Sequence, residues 1–266
     1  MPGTGSGSKT TSGLLHLLSR LRSYFLWAPL VFLYTGVLGT CSLVSSFFDR
    51  RGKIQHSFAR MWAWMILKTF CLPVKITGME GIDRIRPYVY AANHISALDI
   101  PVLYRSLPFQ FRIMAKRELF RYPFLGWHLR RSGQIAVDAS NARASLRSLN
   151  RAVADLREGM PLVVFPEGGR SPHGRVLPFM GGPFYVAIKA GVDIVPMAIV
   201  GTYETLPMET FHVKPRRLRL IVGKPISSSG YSLKEMDQLG EKVRSAIEDL
   251  YYANSVIQPF VVESAP

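Results

Sequence analysis

Residues 88–99 read Tyr-Val-Tyr-Ala-Ala-Asn-His-Ile-Ser-Ala-Leu-Asp. The run Tyr88–Ala92 is short, apolar and aromatic, the pattern of a β-strand. Polar Asn93, His94 and Ser96 follow directly, and Ser96 with Asp99 has the spacing that opens a helix, with Ser96 a fitting N-cap. A strand, a polar turn and a helix start make one unit of an α/β sheet, in which reactive groups collect where strands end.

The same unit recurs on both sides. Short β-like runs lie at 74–77, 112–115, 134–137, 161–165, 194–200 and 217–222. Within 141–158, Ala142, Leu146, Leu149, Val153 and Leu156 recur at steps of four and three, so that segment is a helix, ended by Gly159. Residues 183–190, stopped by Gly191, form a short helix, and a last one opens on the capping-box pair Ser232 and Glu235. Arg143, Arg147 and Arg151 lie on nearly the opposite face of the first, a solvated face or a basic stripe turned to a membrane. The expected fold class is α/β: a single domain over 73–254 with a central mixed sheet flanked by helices, then a frayed tail at 255–266.

Upstream the composition changes. Residues 1–13 are rich in Gly, Ser and Thr and read as disordered. Residues 14–72 read as a membrane-associated helical segment, because Tyr24 to Phe48 carries no formal charge over 25 residues and about 20 suffice to cross a bilayer. Pro29, Gly36 and Gly39 interrupt this run, several serines dilute its second half, and Arg20 and Arg22 on one side face Arg50, Arg51 and Lys53 on the other. A spanning helix and a re-entrant or interfacial helix pair fit equally, with a buried hairpin a third reading. Trp62, Trp64 and Phe70 suit either a headgroup layer or the core.

Lys and Arg total 33 against 18 Asp and Glu, a net charge of +15, and mean hydropathy is +0.13. Such a field draws polyanions. No helix-turn-helix, zinc-finger or RNP pattern accompanies it, so nucleic acid is not the expected partner. Cys41 and Cys71 form neither a disulfide framework nor a metal-ligand spacing, and they fit a reducing, cytoplasmic setting.

Histidine takes a proton from a hydroxyl near neutral pH, and a carboxylate on its far ring nitrogen fixes the tautomer. His94 and Asp99 are candidates for that pair. Residues five apart on a helix point about 140° away from each other, so His94 must sit in the turn with Asp99 reaching back from the first helical turn. Equally, Asp99 could serve only as a charge at a helix start. A second constellation is Phe165-Pro166-Glu167-Gly168-Gly169-Arg170-Ser171, with glycines that admit close backbone approach and an arginine whose planar fork matches phosphate. A third runs from Lys116 through Leu119 to Pro123 and Gly126.

Together and in this order, the segments resemble the glycerolipid acyltransferase family, in particular its bacterial-type 1-acyl-glycerol-3-phosphate acyltransferases. Asn93 to Asp99 matches N-H-x-S-x-x-D at every fixed position. Lys116, Leu119, Pro123 and Gly126 match K-x-x-L with P-x-x-G, Phe165 to Ser171 matches F-P-E-G-T-R-S except at Gly169, and Val195-Pro196 matches an aliphatic-proline pair. The resemblance implies that His94 is the general base on an acceptor hydroxyl and that Asp99 orients it. It implies that Lys116 and Arg170 bind the acceptor's phosphate, with Glu167, Gly168, Gly169 and Ser171 shaping the site and Asn93, Ser96, Leu119, Pro166 and Pro196 supporting it. The implied reaction moves a fatty acyl group from acyl-CoA or acyl-carrier protein to lysophosphatidic acid, giving phosphatidic acid at a membrane phospholipid surface. The catalytic domain is expected on the cytoplasmic side. No metal or cofactor is expected, since a thioester is already activated. Gly169 removes a hydroxyl and a β-branched restraint, which bears on acceptor choice. The alternatives are another lysophospholipid or glycerol-3-phosphate as acceptor, or a non-catalytic lipid-binding module.

Overall fold

Short apolar runs separated by amphipathic helices give strands that must be covered on both faces. The computed structural model describes residues 7–49, 51–138 and 140–259, and it shows that arrangement. In chain order the elements are α1 (Gly7–Leu21), a π-helical stretch (Arg22–Trp27), α2 (Ala28–Ser45), α3 (Lys53–Thr69), β1 (Val74–Thr77), β2 (Val89–Ala92) and α4 (Asp99–Ser106). Next come β3 (Arg112–Lys116), a 3-10 segment (Arg117–Arg121), α5 (Leu125–Arg131), β4 (Ile135–Val137), α6 (Ala142–Arg157), β5 (Leu162–Val164) and α7 (Gly182–Ala190). The chain ends with β6 (Ile194–Val200), α8 (Thr202–Thr205), β7 (Leu218–Val222) and α9 (Met236–Tyr252).

The strands form one seven-stranded sheet in the order β1-β7-β6-β2-β5-β3-β4. Only β6 and β7 pair antiparallel, so the sheet is mixed as expected. Alternation along each strand feeds two cores. Val89, Ala91, Leu162, Val164 and Ala198 pack against α6, α7 and α9, while Tyr90, Ala92, Val163, Val195 and Met197 pack against α3 and α4. This layering puts the carboxyl ends of β2, β5 and β3, which are adjacent and parallel, along one edge.

Three expectations about the chain ends are corrected. Residues 7–13 are helical rather than disordered, and 1–6 lie outside the described residues. Tyr24–Phe48 is not a helix pair: α1, the π stretch and α2 run on as one rod, and Gly13–Ser45 is 33 residues with a mean hydropathy of 1.6 in its most apolar window, 17% of that window buried. It is long and apolar enough to cross a membrane by length and composition, and that low burial excludes the buried-hairpin reading. Pro29 is absorbed because the wider π turn just before it takes up its missing N–H and ring bulk. The polar residues do not break the rod because they bond inward: Thr40 Oγ1 donates to Gly36 O at 2.8 Å and Ser46 Oγ to Leu43 O at 2.6 Å. The chain turns after Ser46 (Arg50 is outside the described residues) and α3 returns along α2, with Trp62 Nε1 donating to Thr35 Oγ1 at 2.9 Å. Phe70 is core, whereas Trp64 is exposed. The third correction is the tail, whose described part is held: Gln258 O accepts from Arg175 Nε at 2.9 Å, while 260–266 lie outside the described residues.

Candidate active site

Beyond β2 the Asn93 side chain continues the sheet ladder. Its Nδ2 donates to Ile199 O at 3.0 Å and its Oδ1 accepts from Ile199 N at 2.7 Å, tying the turn to β6. His94 follows at the point where the chain leaves the sheet. Asp99 is the first residue of α4 and is fully buried. Its Oδ2 lies 2.8 Å from His94 Nδ1 and accepts from the N–H groups of Ile95 at 2.7 Å and Ser96 at 2.9 Å. One Asp99 oxygen therefore lies at the helix start and faces the imidazole. A carboxylate at Nδ1 makes that nitrogen the N–H donor and leaves the Nε2 lone pair open. The His94 side chain is 17% exposed and Asp99 0%, so Nε2 has access while the pair itself is shielded.

Ser96 is not the N-cap. Leu98 takes that place; the Ser96 hydroxyl accepts from Leu98 N at 3.3 Å and donates to Leu206 O at 2.7 Å. The helix starts two residues later than the spacing suggests, and its first carboxylate bonds back to the N–H groups of Ile95 and Ser96 ahead of it.

The loop after β5 grips His94 from the other side. Phe165 stacks on the imidazole, with ring centroids 4.0 Å apart and planes 19° apart. Glu167 Oε1 accepts from His94 N at 2.7 Å, Glu167 Oε2 accepts from Leu177 N at 3.0 Å, and Ser171 N donates to His94 O at 2.8 Å. Burial pushes the Glu167 carboxyl up to about 8; the two N–H donors oppose the shift and the Asp99 charge adds to it. Glu167 thus holds the backbone that presents the imidazole. Ser171 is buried behind the same turn.

Gly168 has φ +68°, and a Cβ there would stand 2.4 Å from Met180 Sδ, so this position needs glycine for conformation and for space. Met180 N in turn donates to Pro166 O at 2.8 Å, closing the loop. At Gly169 an added Cβ would stand 3.3 Å from Lys116 Nζ. The ammonium from the end of β3 is therefore brought against this loop, one residue from Arg170, and both cations are exposed. Leu119 is partly exposed on the 3-10 segment, and Gly126 lets the chain pass within 2.2 Å of Phe120 O, measured from its would-be Cβ. Pro196 lies in β6, away from the strand ends, with its carbonyl accepting from Gly223 N at 2.8 Å.

Sequence reasoning missed Thr202. Its Oγ1 donates to Asp99 Oδ1 at 2.6 Å, so the second carboxylate oxygen is also engaged, and Thr202 is fully buried. The available signal was positional: Gly201-Thr202 directly follows the apolar run 194–200, at another strand end.

Residues 73–200 match the acyltransferase family profile. A Chlamydomonas reinhardtii protein named 1-acyl-sn-glycerol-3-phosphate acyltransferase is 32% identical over 237 residues, covering 87% of this chain and 70% of that one. A Saccharomyces cerevisiae protein of the same name is 31% identical over 236 residues, covering 85% and 77%. The crystal structure of the 1-acyl-sn-glycerophosphate acyltransferase PlsC from Thermotoga maritima superposes with a TM-score of 0.68 at 27% identity, covering 90% of this chain and 97% of that one.

Proposed function

We propose, since this chain belongs to the acyltransferase family, that it acylates the free hydroxyl of 1-acyl-glycerol-3-phosphate, the lysophosphatidic acid named in its relatives' activity, and so makes phosphatidic acid. The observation that carries the reading is the His94–Asp99 pair with Lys116 Nζ drawn against the Gly169–Arg170 loop. A base and two cations on one sheet edge suit an acceptor that has both a hydroxyl and a phosphate.

In this reading His94 Nε2 takes the hydroxyl proton as the oxygen attacks the thioester carbonyl. The new C–O bond forms, the tetrahedral intermediate collapses with cleavage of the C–S bond, and the imidazolium returns its proton to the departing thiolate. Asp99 stabilises the imidazolium between these steps. The thioester is already activated, so the scheme calls for no metal or cofactor. Lys116 and Arg170 hold the acceptor phosphate by charge-assisted bonds. The length and exposed apolar surface of the rod Gly13–Ser45 support a place at a lipid surface, which this reading sets on the cytoplasmic side. Gly169, which opens space beside Lys116, is the feature that favours testing other phosphate-bearing acceptors as well.

The test is thiol release from acyl-CoA by membranes carrying the protein, with and without lysophosphatidic acid. Release that needs both the acceptor and His94, and is abolished in His94→Ala, is the expected result. Release indifferent to acceptor would mean hydrolysis. Liposome binding without transfer to lysophosphatidic acid, another lysophospholipid or glycerol-3-phosphate, from either acyl-CoA or acyl-carrier protein, would mean a non-catalytic lipid-binding role.

A further inference from the structure

Beside β4, at the far edge of the sheet, a cavity of about 490 Å³ opens between the 3-10 segment, α5 and α6. Arg117, Arg121, Arg130 and Arg151 line it, above a floor that includes Phe120 and Ile135. Arg117 lies 3.0 Å from Asp138. Among the described residues, no carboxylate comes within 4.0 Å of Arg121, Arg130 or Arg151. Asp155, one turn on from Arg151, feels the charges of Arg151 and Arg112. Four guanidinium groups from three separate elements thus converge on one concave space with one direct counter-charge. A solvated basic face would spread them apart. Convergence costs mutual repulsion that a bound anion would offset.

We propose that this cavity binds the phosphates of the coenzyme A nucleotide on the acyl donor. The inference rests on the acyltransferase reading above and names its donor. Arginine forks match phosphate oxygens in pairs, and the volume falls in the range of small-molecule sites, far more than one phosphate needs. Its place fits as well. Arg117 directly follows Lys116, whose ammonium lies against the loop at Gly169, so the cavity begins beside the reaction centre and not within it. In acyl-CoA the pantetheine arm separates the thioester from the nucleotide in just that sense.

The test uses the full-length protein in zwitterionic micelles and reads binding of 3′,5′-ADP, the nucleotide end of the donor, by calorimetry. Arg121→Gln combined with Arg151→Gln, both exposed positions, is expected to weaken binding at least tenfold. Arg143→Gln with Arg147→Gln, earlier turns of the same helix that do not line the cavity, is expected to leave it unchanged. His94→Ala is expected to bind as wild type does, so that failure of the proposed reaction does not mask the site. In turnover, the first double variant should raise the KM for acyl-CoA with little change in kcat, and should raise the KM for acyl-dephospho-CoA, which keeps the pyrophosphate but lacks the 3′-phosphate, by a smaller factor. Equal 3′,5′-ADP binding by wild type and this variant would overturn the proposal. So would a variant that keeps nucleotide binding but loses its preference for phosphatidylglycerol over phosphatidylcholine vesicles, since the cavity would then serve a lipid phosphate.

Discussion

Replacing Asp99 by asparagine separates charge from geometry at the centre of the site. The amide can orient in two ways. With its NH2 toward His94 it would meet three donors, from His94 Nδ1, Ile95 N and Ser96 N, within 2.9 Å. With its NH2 toward Thr202 it meets one hydroxyl at 2.6 Å, which can turn from donor to acceptor. The second orientation keeps every bond, so the variant is expected to fold with a loss of no more than about 1.5 kcal/mol. Function is different. At 2.8 Å, with an effective dielectric near 20, a carboxylate and an imidazolium attract by about 6 kcal/mol. A neutral amide keeps the hydrogen bond, and charge-assisted bonds are about twice as strong as neutral ones, so roughly 3 kcal/mol of transition-state stabilisation goes. That corresponds to a fall in kcat of about 10². The assay is acceptor-dependent thiol release, with thermal unfolding of the same preparation alongside. Asp99→Ala is the contrast: it strands the buried N–H groups of Ile95 and Ser96, each at about 1–3 kcal/mol, and should unfold first. An asparagine variant with more than a tenth of wild-type kcat would refute the base–orienter reasoning and leave Asp99 as a helix cap only.

Thr202→Val keeps the shape and removes the bond to Asp99 Oδ1, and about a tenfold loss of kcat is expected, partly rescued in Thr202→Ser; equal loss in both variants would mean packing alone. Gly169→Thr adds two atoms to a Cβ that would already stand 3.3 Å from Lys116 Nζ. The exposed lysine gives way, so Tm should move by only about 1–2 °C, while the acceptor KM rises about tenfold; an unchanged KM would remove Lys116 from the acceptor site. Glu167 tests linkage. Its folded value of about 8 lies above its ordinary 4.5, so its contribution to stability is full below about pH 4.5 and is lost as pH rises through about 8. Wild-type stability should therefore fall relative to Glu167→Gln across that window, at no more than about 1.4 kcal/mol per pH unit, and parallel profiles would show that the carboxyl is not perturbed.

The strands were legible because each lies in a short apolar run bounded by turn residues, and all seven runs appear as strands with edges shifted by at most one residue. The His94–Asp99 contact was legible for a geometric reason, since a helix could not join residues five apart and a turn could. What the sequence hid was decided by partners far along the chain. The Ser96 hydroxyl finds its acceptor in Leu206 O, 110 residues away, a partner that no local pattern shows. Thr202 acquires a role only because β6 runs beside β2 and ends next to it. Pro29 and the serines looked like helix breaks because composition does not register a π turn or hydroxyls bonded back to the preceding turn.

One segment joins these distant effects. From Gly201 to Lys214 the chain leaves β6, bonds Asp99 through Thr202 and Ser96 through Leu206 O, then reaches the apolar rod. There Phe211 N donates to Tyr24 Oη at 3.3 Å, Val213 N donates to Ser23 Oγ at 3.2 Å, and the Phe211 ring packs against Phe32 and Phe70. Ser23 is fully buried in that contact, so the junction is packed. Within about a dozen residues the same stretch fixes the second oxygen of the Asp99 carboxylate and the side of the rod that faces the domain. The remaining sides of the rod expose Leu14, Phe25, Leu33 and other apolar side chains, a surface that water solvates poorly and lipid solvates well. A force that moves the rod therefore acts on the segment that positions Asp99, as well as on α3 and α5, where Trp62 and His128 bond to Thr35 and Ser42. That coupling gives a physical reason for the domain and its apolar helix to be built as one packed body rather than joined by a free linker.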